Sequence, residues 1–154
     1  RIDALAAYDA LAARADVDAS RIGIYGVSLG ASFALAVAGE RDAAAVCTVS
    51  AFSSWAGVAG DHAPLLGPLL IPSGLDGQTL VEKLGTRPYL IVHGDLDTIV
   101  PPRHAERLLA AARAAGVAAE RVNVAGAGHN DIADFEASRE AIGDFFGRTL
   151  HSSP

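Results

Sequence analysis

The sequence contains no methionine and only one cysteine, Cys47. A lone cysteine excludes an internal disulfide. Cys47 sits in the apolar, strand-like run Ala44 to Val49, where a free thiol serves as a small core residue. The chain opens on Arg1 inside a helical pattern, so Arg1 is not expected to be the natural first residue. No signal peptide or targeting segment is visible, and localisation is not legible from these residues. No apolar run reaches the ~20 residues that a membrane-spanning helix needs. Basic residues are few: eleven arginines and Lys83 stand against 18 acidic residues, for a net charge of −6. Phosphate binding wants a basic face, so nucleic acid is not an expected partner. No His or Cys pair has ligand spacing, and neither a metal nor a cofactor is expected. Aromatic residues make up 6%, yet 51% of the chain is apolar. That is enough for a packed core and argues against disorder. The 154 residues fit one domain.

What the chain does have is an alternation of strand and helix patterns. Ile2, Leu5, Ala6, Tyr8 and Leu11 recur at helical spacing over residues 2–15. A short strand is expected at Arg21 to Tyr25, a helix at Leu29 to Gly39 and a second strand at Ala43 to Val49. A third strand follows Pro88, then a helix from Pro102 to Ala115 that Gly116 ends. The fourth strand is expected at Arg121 to Ala125. A single last helix is expected from Ile132 to Leu150, burying Ile132, Phe135, Ile142, Phe145 and Phe146, before a frayed tail. Strands alternating with helices, with no hairpin signals, specify a parallel sheet of about four strands with helices on both faces. Residues 51–87 break the alternation. They combine Trp55, three prolines and a run of leucines, too apolar for a solvated loop. This stretch is expected to cross the top of the sheet as a short lid insertion with an apolar pocket wall, involving Phe52, Trp55, Leu66, Leu69 and Leu70.

The segment Gly26-Val27-Ser28-Leu29-Gly30 lies between the first strand and an Ala-rich helix. Strand, G-x-S-x-G, helix is the context of a nucleophile elbow. The turn strains the backbone of its central residue and projects that side chain above the sheet. Gly26 and Gly30 are expected to remove Cβ atoms that would collide there. Ser28 then stands at a helix N-terminus, where the Leu29 N–H can hold a developing oxyanion. A serine hydroxyl also needs a base, and the base an orienting acid. The third strand runs into His93-Gly94-Asp95-Leu96-Asp97-Thr98-Ile99-Val100-Pro101, with two carboxylates. The fourth runs into Gly126-Ala127-Gly128-His129-Asn130-Asp131. The order Ser28, acid, His129 is the one this fold uses.

These segments resemble the alpha/beta-hydrolase superfamily, and within it the small serine hydrolases of the bem-type and abhydrolase-domain branch. The resemblance spans residues 22–146. It implies Asp97 as the acid, since Asp95 falls on a variable position of the pattern H-G-x-x-D-x-x-V-P, and His129 as the base. His93, inside its strand, is left a structural hydrogen-bonding role. His62 and His104 are expected at the surface or in the lid, with Asp61 and His62 near enough to the pocket to touch substrate. The expected chemistry is cleavage of a small-molecule ester, thioester or amide by Ser28, Asp97 and His129 through an acyl-enzyme, with no cofactor.

The resemblance also implies eight strands and an H-G-x-x-G-type loop before the elbow that supplies a second oxyanion donor. Only four strands fit, and no such loop precedes Ser28. The chain is therefore expected to be an N-terminally truncated domain, either the C-terminal part of a longer hydrolase or a truncated reading frame, its first strand an exposed apolar edge that invites self-association. Two other readings stay open: a catalytically incomplete fragment or ligand-binding domain, and a serine peptidase of the same fold.

Overall fold

The computed structural model describes residues 1–64 and 74–151. Among these, four parallel strands form one sheet in the order β1-β2-β3-β4: β1 (Gly23–Val27), β2 (Ala45–Val49), β3 (Tyr89–Gly94) and β4 (Ala119–Val124). The helices are α1 (Ile2–Ala12), α2 (Leu29–Ala38), α3 (Trp55–His62), α4 (Gly77–Val81), α5 (Arg103–Ala114) and α6 (Glu136–His151). The register pairs Gly26 with Thr48, Thr48 with Ile91 and Ile91 with Arg121. Strand order therefore follows chain order, and every helical crossover returns to the same end of the sheet.

Both central strands are buried throughout, which is why they read as continuous apolar runs. Alternate residues still serve opposite faces. Val46, Tyr89 and Ile91 pack with Leu35, Leu84 and Leu108 from α2, α5 and the turn after α4. Ala45, Cys47, Val49, Leu90 and Val92 pack with Ile132 and Phe145 on the other face. Burial pushes the Cys47 thiol up to about 12, so it is inert core filling.

One expected element differs from the structure. The last helix is not continuous: a 3-10 turn at Ile132–Asp134 is followed by extended Phe135, and α6 starts at Glu136. The break lets Ile132 and Phe145 reach the same core from two elements. The described residues of the 51–87 stretch include two short helices, α3 and α4, and a 3-10 turn at Glu82–Leu84. Leu66, Leu69 and Leu70 lie outside the described residues. Phe52 is buried and meets Trp55 edge-on at 4.7 Å between ring centroids.

Beyond β1 the sheet has an open apolar side. Tyr25 and Val27 are 49% and 40% exposed, and a hollow of about 350 Å³ runs between α1, β1 and α2. Helix α1 buries none of its residues. The two glycines of the Gly26–Gly30 turn differ here. A Cβ on Gly26 would lie 2.5 Å from the Gly30 carbonyl oxygen and 2.7 Å from Ala34 Cβ. A Cβ on Gly30 would meet nothing within 4 Å, because that residue faces the open hollow. The expected collision at Gly30 is thus absent.

The two sites should respond to alanine with opposite signs. Gly26→Ala should destabilise by about 1–3 kcal/mol through overpacking. Gly30→Ala should stabilise by about 0.5–1 kcal/mol, as an alanine replaces a helical glycine. Urea midpoints of the two variants check this; equal losses would contradict the packing described.

Candidate active site

The C-terminal ends of β1, β3 and β4 meet at one rim. After β1 the chain turns at once into α2, and Ser28 occupies the turn with φ +51° and ψ −118°. This conformation is strained for a residue with a side chain. The Ser28 N–H donates to the Val49 carbonyl at 2.8 Å, which ties the turn to β2. As the first residue of α2, Leu29 carries an N–H with no intrahelical acceptor.

The loop after β3 carries both carboxylates, and they do different things. Asp95 Oδ1 accepts the Gly126 N–H at 2.7 Å and so holds the loop after β4. Asp97 is buried, and its Oδ1 accepts the N–H groups of Ile99 at 3.0 Å and Val100 at 2.8 Å. Its Oδ2 lies 2.8 Å from His129 Nδ1 and 3.4 Å from His93 Nε2. Burial alone would raise this carboxyl, but the adjacent His93 ring and the hydrogen bonds from Val100 and His129 more than offset it and lower it to about 2. Asp97 is therefore an anion at neutral pH and can only accept.

That fixes the histidine tautomers. His129 Nδ1–H donates to Asp97, which leaves Nε2 as an acceptor, 2.9 Å from the Ser28 hydroxyl. His93 is fully buried and donates Nε2–H to the Val100 carbonyl at 2.7 Å, while its Nδ1 has no partner. The structure thus brings Ser28, His129 and Asp97 into one hydrogen-bonded line.

A second polar line lies under α3. His104, expected at the surface or in the lid, is fully buried, and its ring partners come from residues 53 and 61 of the expected lid stretch. Its Nδ1 accepts the Ser53 N–H at 3.1 Å and lies 2.8 Å from the Ser53 hydroxyl. Its Nε2–H donates to Asp61 Oδ2 at 2.7 Å. Arg103 also contacts Asp61. Burial lowers His104, against the opposing pull of Asp61. The burial is tolerable because both ring nitrogens have partners. This line pins α3 to α5, so Asp61 is occupied structurally. His62 is exposed, as expected, and its Nε2–H donates to the Ile99 carbonyl at 2.7 Å. Nothing in the sequence announced the pairing of His104 with Asp61, 43 residues away. Among the described residues no group of three or more His, Cys, Asp or Glu could hold a metal ion.

Comparison with known proteins agrees with this architecture. The chain matches the dienelactone hydrolase family over residues 2–144. It is 39% identical over 153 residues to an uncharacterised protein of Mycobacterium tuberculosis, covering 96% of this chain and 52% of that one. It is 31% identical over 114 residues to YfhR of Escherichia coli, covering 72% of this chain and 40% of that protein. The chain thus spans about half the length of these relatives. Its fold is similar to that of a puromycin-hydrolysing peptidase of Mycobacterium tuberculosis, with a TM-score of 0.78 at 24% identity, over 99% of this chain and 25% of the peptidase. It is also similar to a truncated carbohydrate esterase from gut microbiota, with a TM-score of 0.78 at 19% identity, over 97% of this chain and 68% of the esterase. A four-stranded parallel sheet, a strained serine between β1 and α2, and a family match over nearly the whole chain lead to one assignment: the chain belongs to the dienelactone hydrolase family, within the alpha/beta-hydrolase superfamily.

Proposed function

We propose that this chain carries the acyl-transfer centre of a serine hydrolase that cleaves carboxylic esters or thioesters, with Ser28 as nucleophile, His129 as general base and Asp97 as orienting acid. The observation that carries the reading is His129 bridging Ser28 at 2.9 Å and Asp97 at 2.8 Å, from residues 101 and 32 positions away. His129 Nε2 takes the hydroxyl proton as Ser28 Oγ forms a bond to the carbonyl carbon. Negative charge collects on the carbonyl oxygen, where the Leu29 N–H at the start of α2 is a donor. As the bond to the leaving oxygen or sulfur breaks, His129 returns the proton to it. Water then attacks the acyl-enzyme, and its proton passes through His129 back to Ser28. The Asp97 carboxylate stabilises the imidazolium at both stages without itself becoming protonated.

An amide substrate uses the same steps with a nitrogen leaving group. The similar folds include a peptidase and an esterase, so the fold does not favour either bond. The ester reading is preferred because oxygen and sulfur leave more readily than nitrogen. Residues 1–27 hold no H-G-x-x-G loop, so a form lacking a second oxyanion donor should turn over about 10²–10³ times slower than one that has it.

A fluorophosphonate should label Ser28 in the wild-type protein and leave Ser28→Ala unlabelled, as read by mass spectrometry of the modified peptide. Labelling elsewhere, or none in a full-length form, would overturn the assignment.

Asp97→Asn should keep the fold yet lower kcat about 10⁴-fold on a nitrophenyl ester, because the amide cannot hold the Nδ1–H tautomer. The same variant tests the charge of Asp97. Its carboxyl is held below the ordinary value near 3.8, so its ionised form stabilises the fold above pH 4, and that contribution fades as pH falls toward 2. Urea unfolding between pH 6 and pH 2.5 should show this loss in the wild type and a smaller one in Asp97→Asn. Parallel pH profiles would contradict it.

A further inference from the structure

A hollow of about 270 Å³ opens beside His129, between the loop after β3 and the loop after β4. Leu96, Thr98, Ile99, Asn130 and Asp131 line it together with His129. Ser28 is not among its walls, so it flanks the base rather than the nucleophile. In the reading above, His129 is the group that hands the proton to the departing atom. A leaving group must therefore pass close to His129, and this hollow is next to it.

Three features specify what fits. First, two large apolar side chains turn outward at its wall, Leu96 at 62% exposure and Ile99 at 43%. Second, Asp131 supplies a carboxylate whose direction is set, because its Oδ1 accepts the Gly128 N–H at 2.7 Å. Third, no Lys or Arg lines the hollow, and among the described residues no basic side chain forms an ion pair with Asp131. A carboxylate held beside two outward-turned aliphatic side chains matches an alkylammonium head. Its charge meets the carboxylate, and its alkyl groups cover Leu96 and Ile99. An anionic group would meet repulsion from the Asp131 carboxylate instead.

We propose that the hollow between Leu96, Ile99 and Asp131 is a leaving-group subsite that selects alcohols, thiols or amines bearing an alkylammonium group. Its leaving-group role rests on the hydrolase reading, but its ligand chemistry can be measured without turnover. Choline and 3,3-dimethylbutan-1-ol have the same shape and differ in charge. Each is titrated at low ionic strength into protein with labelled Leu and Ile methyl groups, and the Leu96 and Ile99 resonances are followed. Choline should bind about fivefold or more tightly than the neutral alcohol, the gain expected from one charge pair near a protein surface. Asp131→Asn retains an oxygen for the Gly128 N–H and should bring the two ligands to parity. Parity in the wild type, no shift at Leu96 or Ile99, or a preference that survives Asp131→Asn would overturn the proposal. Labelling of Ser28 without a choline preference overturns the subsite and leaves the hydrolase reading intact. A choline preference without labelling leaves the ammonium site and overturns the hydrolase reading.

Discussion

The bond from His129 Nδ1–H to the Asp97 carboxylate is the interaction on which the rest of this site depends. With Asp97 ionised, it leaves His129 a single tautomer, and that tautomer turns Nε2 into an acceptor facing Ser28. The carboxylate can play this part because four groups converge on it. Two backbone N–H groups hold Oδ1, while the rings of His129 and His93 approach Oδ2. A buried anion with fewer donors would take up a proton, and the orientation of the imidazole would be lost.

The sheet explains how residues so far apart in the chain meet. In a parallel array every strand ends at the same edge, so the segments after β1, β3 and β4 lie along one rim. The three turns are held differently. The Ser28 turn is tied to β2 through its own backbone and packs closely at Gly26. The Asp97 loop closes on itself through His93 and Val100. The His129 loop is clamped from outside by Asp95 and from within by Asp131. Such cross-bracing keeps a site built on loops within hydrogen-bond distance before any substrate arrives.

Much of this was legible in the sequence because the informative signals are local. Glycines around a serine between strand and helix patterns mark a turn, and apolar runs such as Tyr89 to Val92 mark buried strands. The break at Phe135 was not legible, since the apolar period of residues 132–150 continues across it and only packing of Ile132 against the sheet imposes the turn. The burial of His104 was hidden for a different reason. Its partners Ser53 and Asp61 lie 51 and 43 positions away, and nothing adjacent in the chain compensates an imidazole in the core. Gly30 misled in the opposite sense: it belongs to the motif, yet its Cβ position is open because it faces the hollow beyond β1.

The most direct measurement is the tautomeric state of His129, read by nitrogen-15 NMR of the resting protein at neutral pH. The account predicts a proton on Nδ1, coupled to a carboxylate, and a bare Nε2 whose signal changes when Ser28 is replaced by alanine. A proton found on Nε2, with Nδ1 bare, would contradict it.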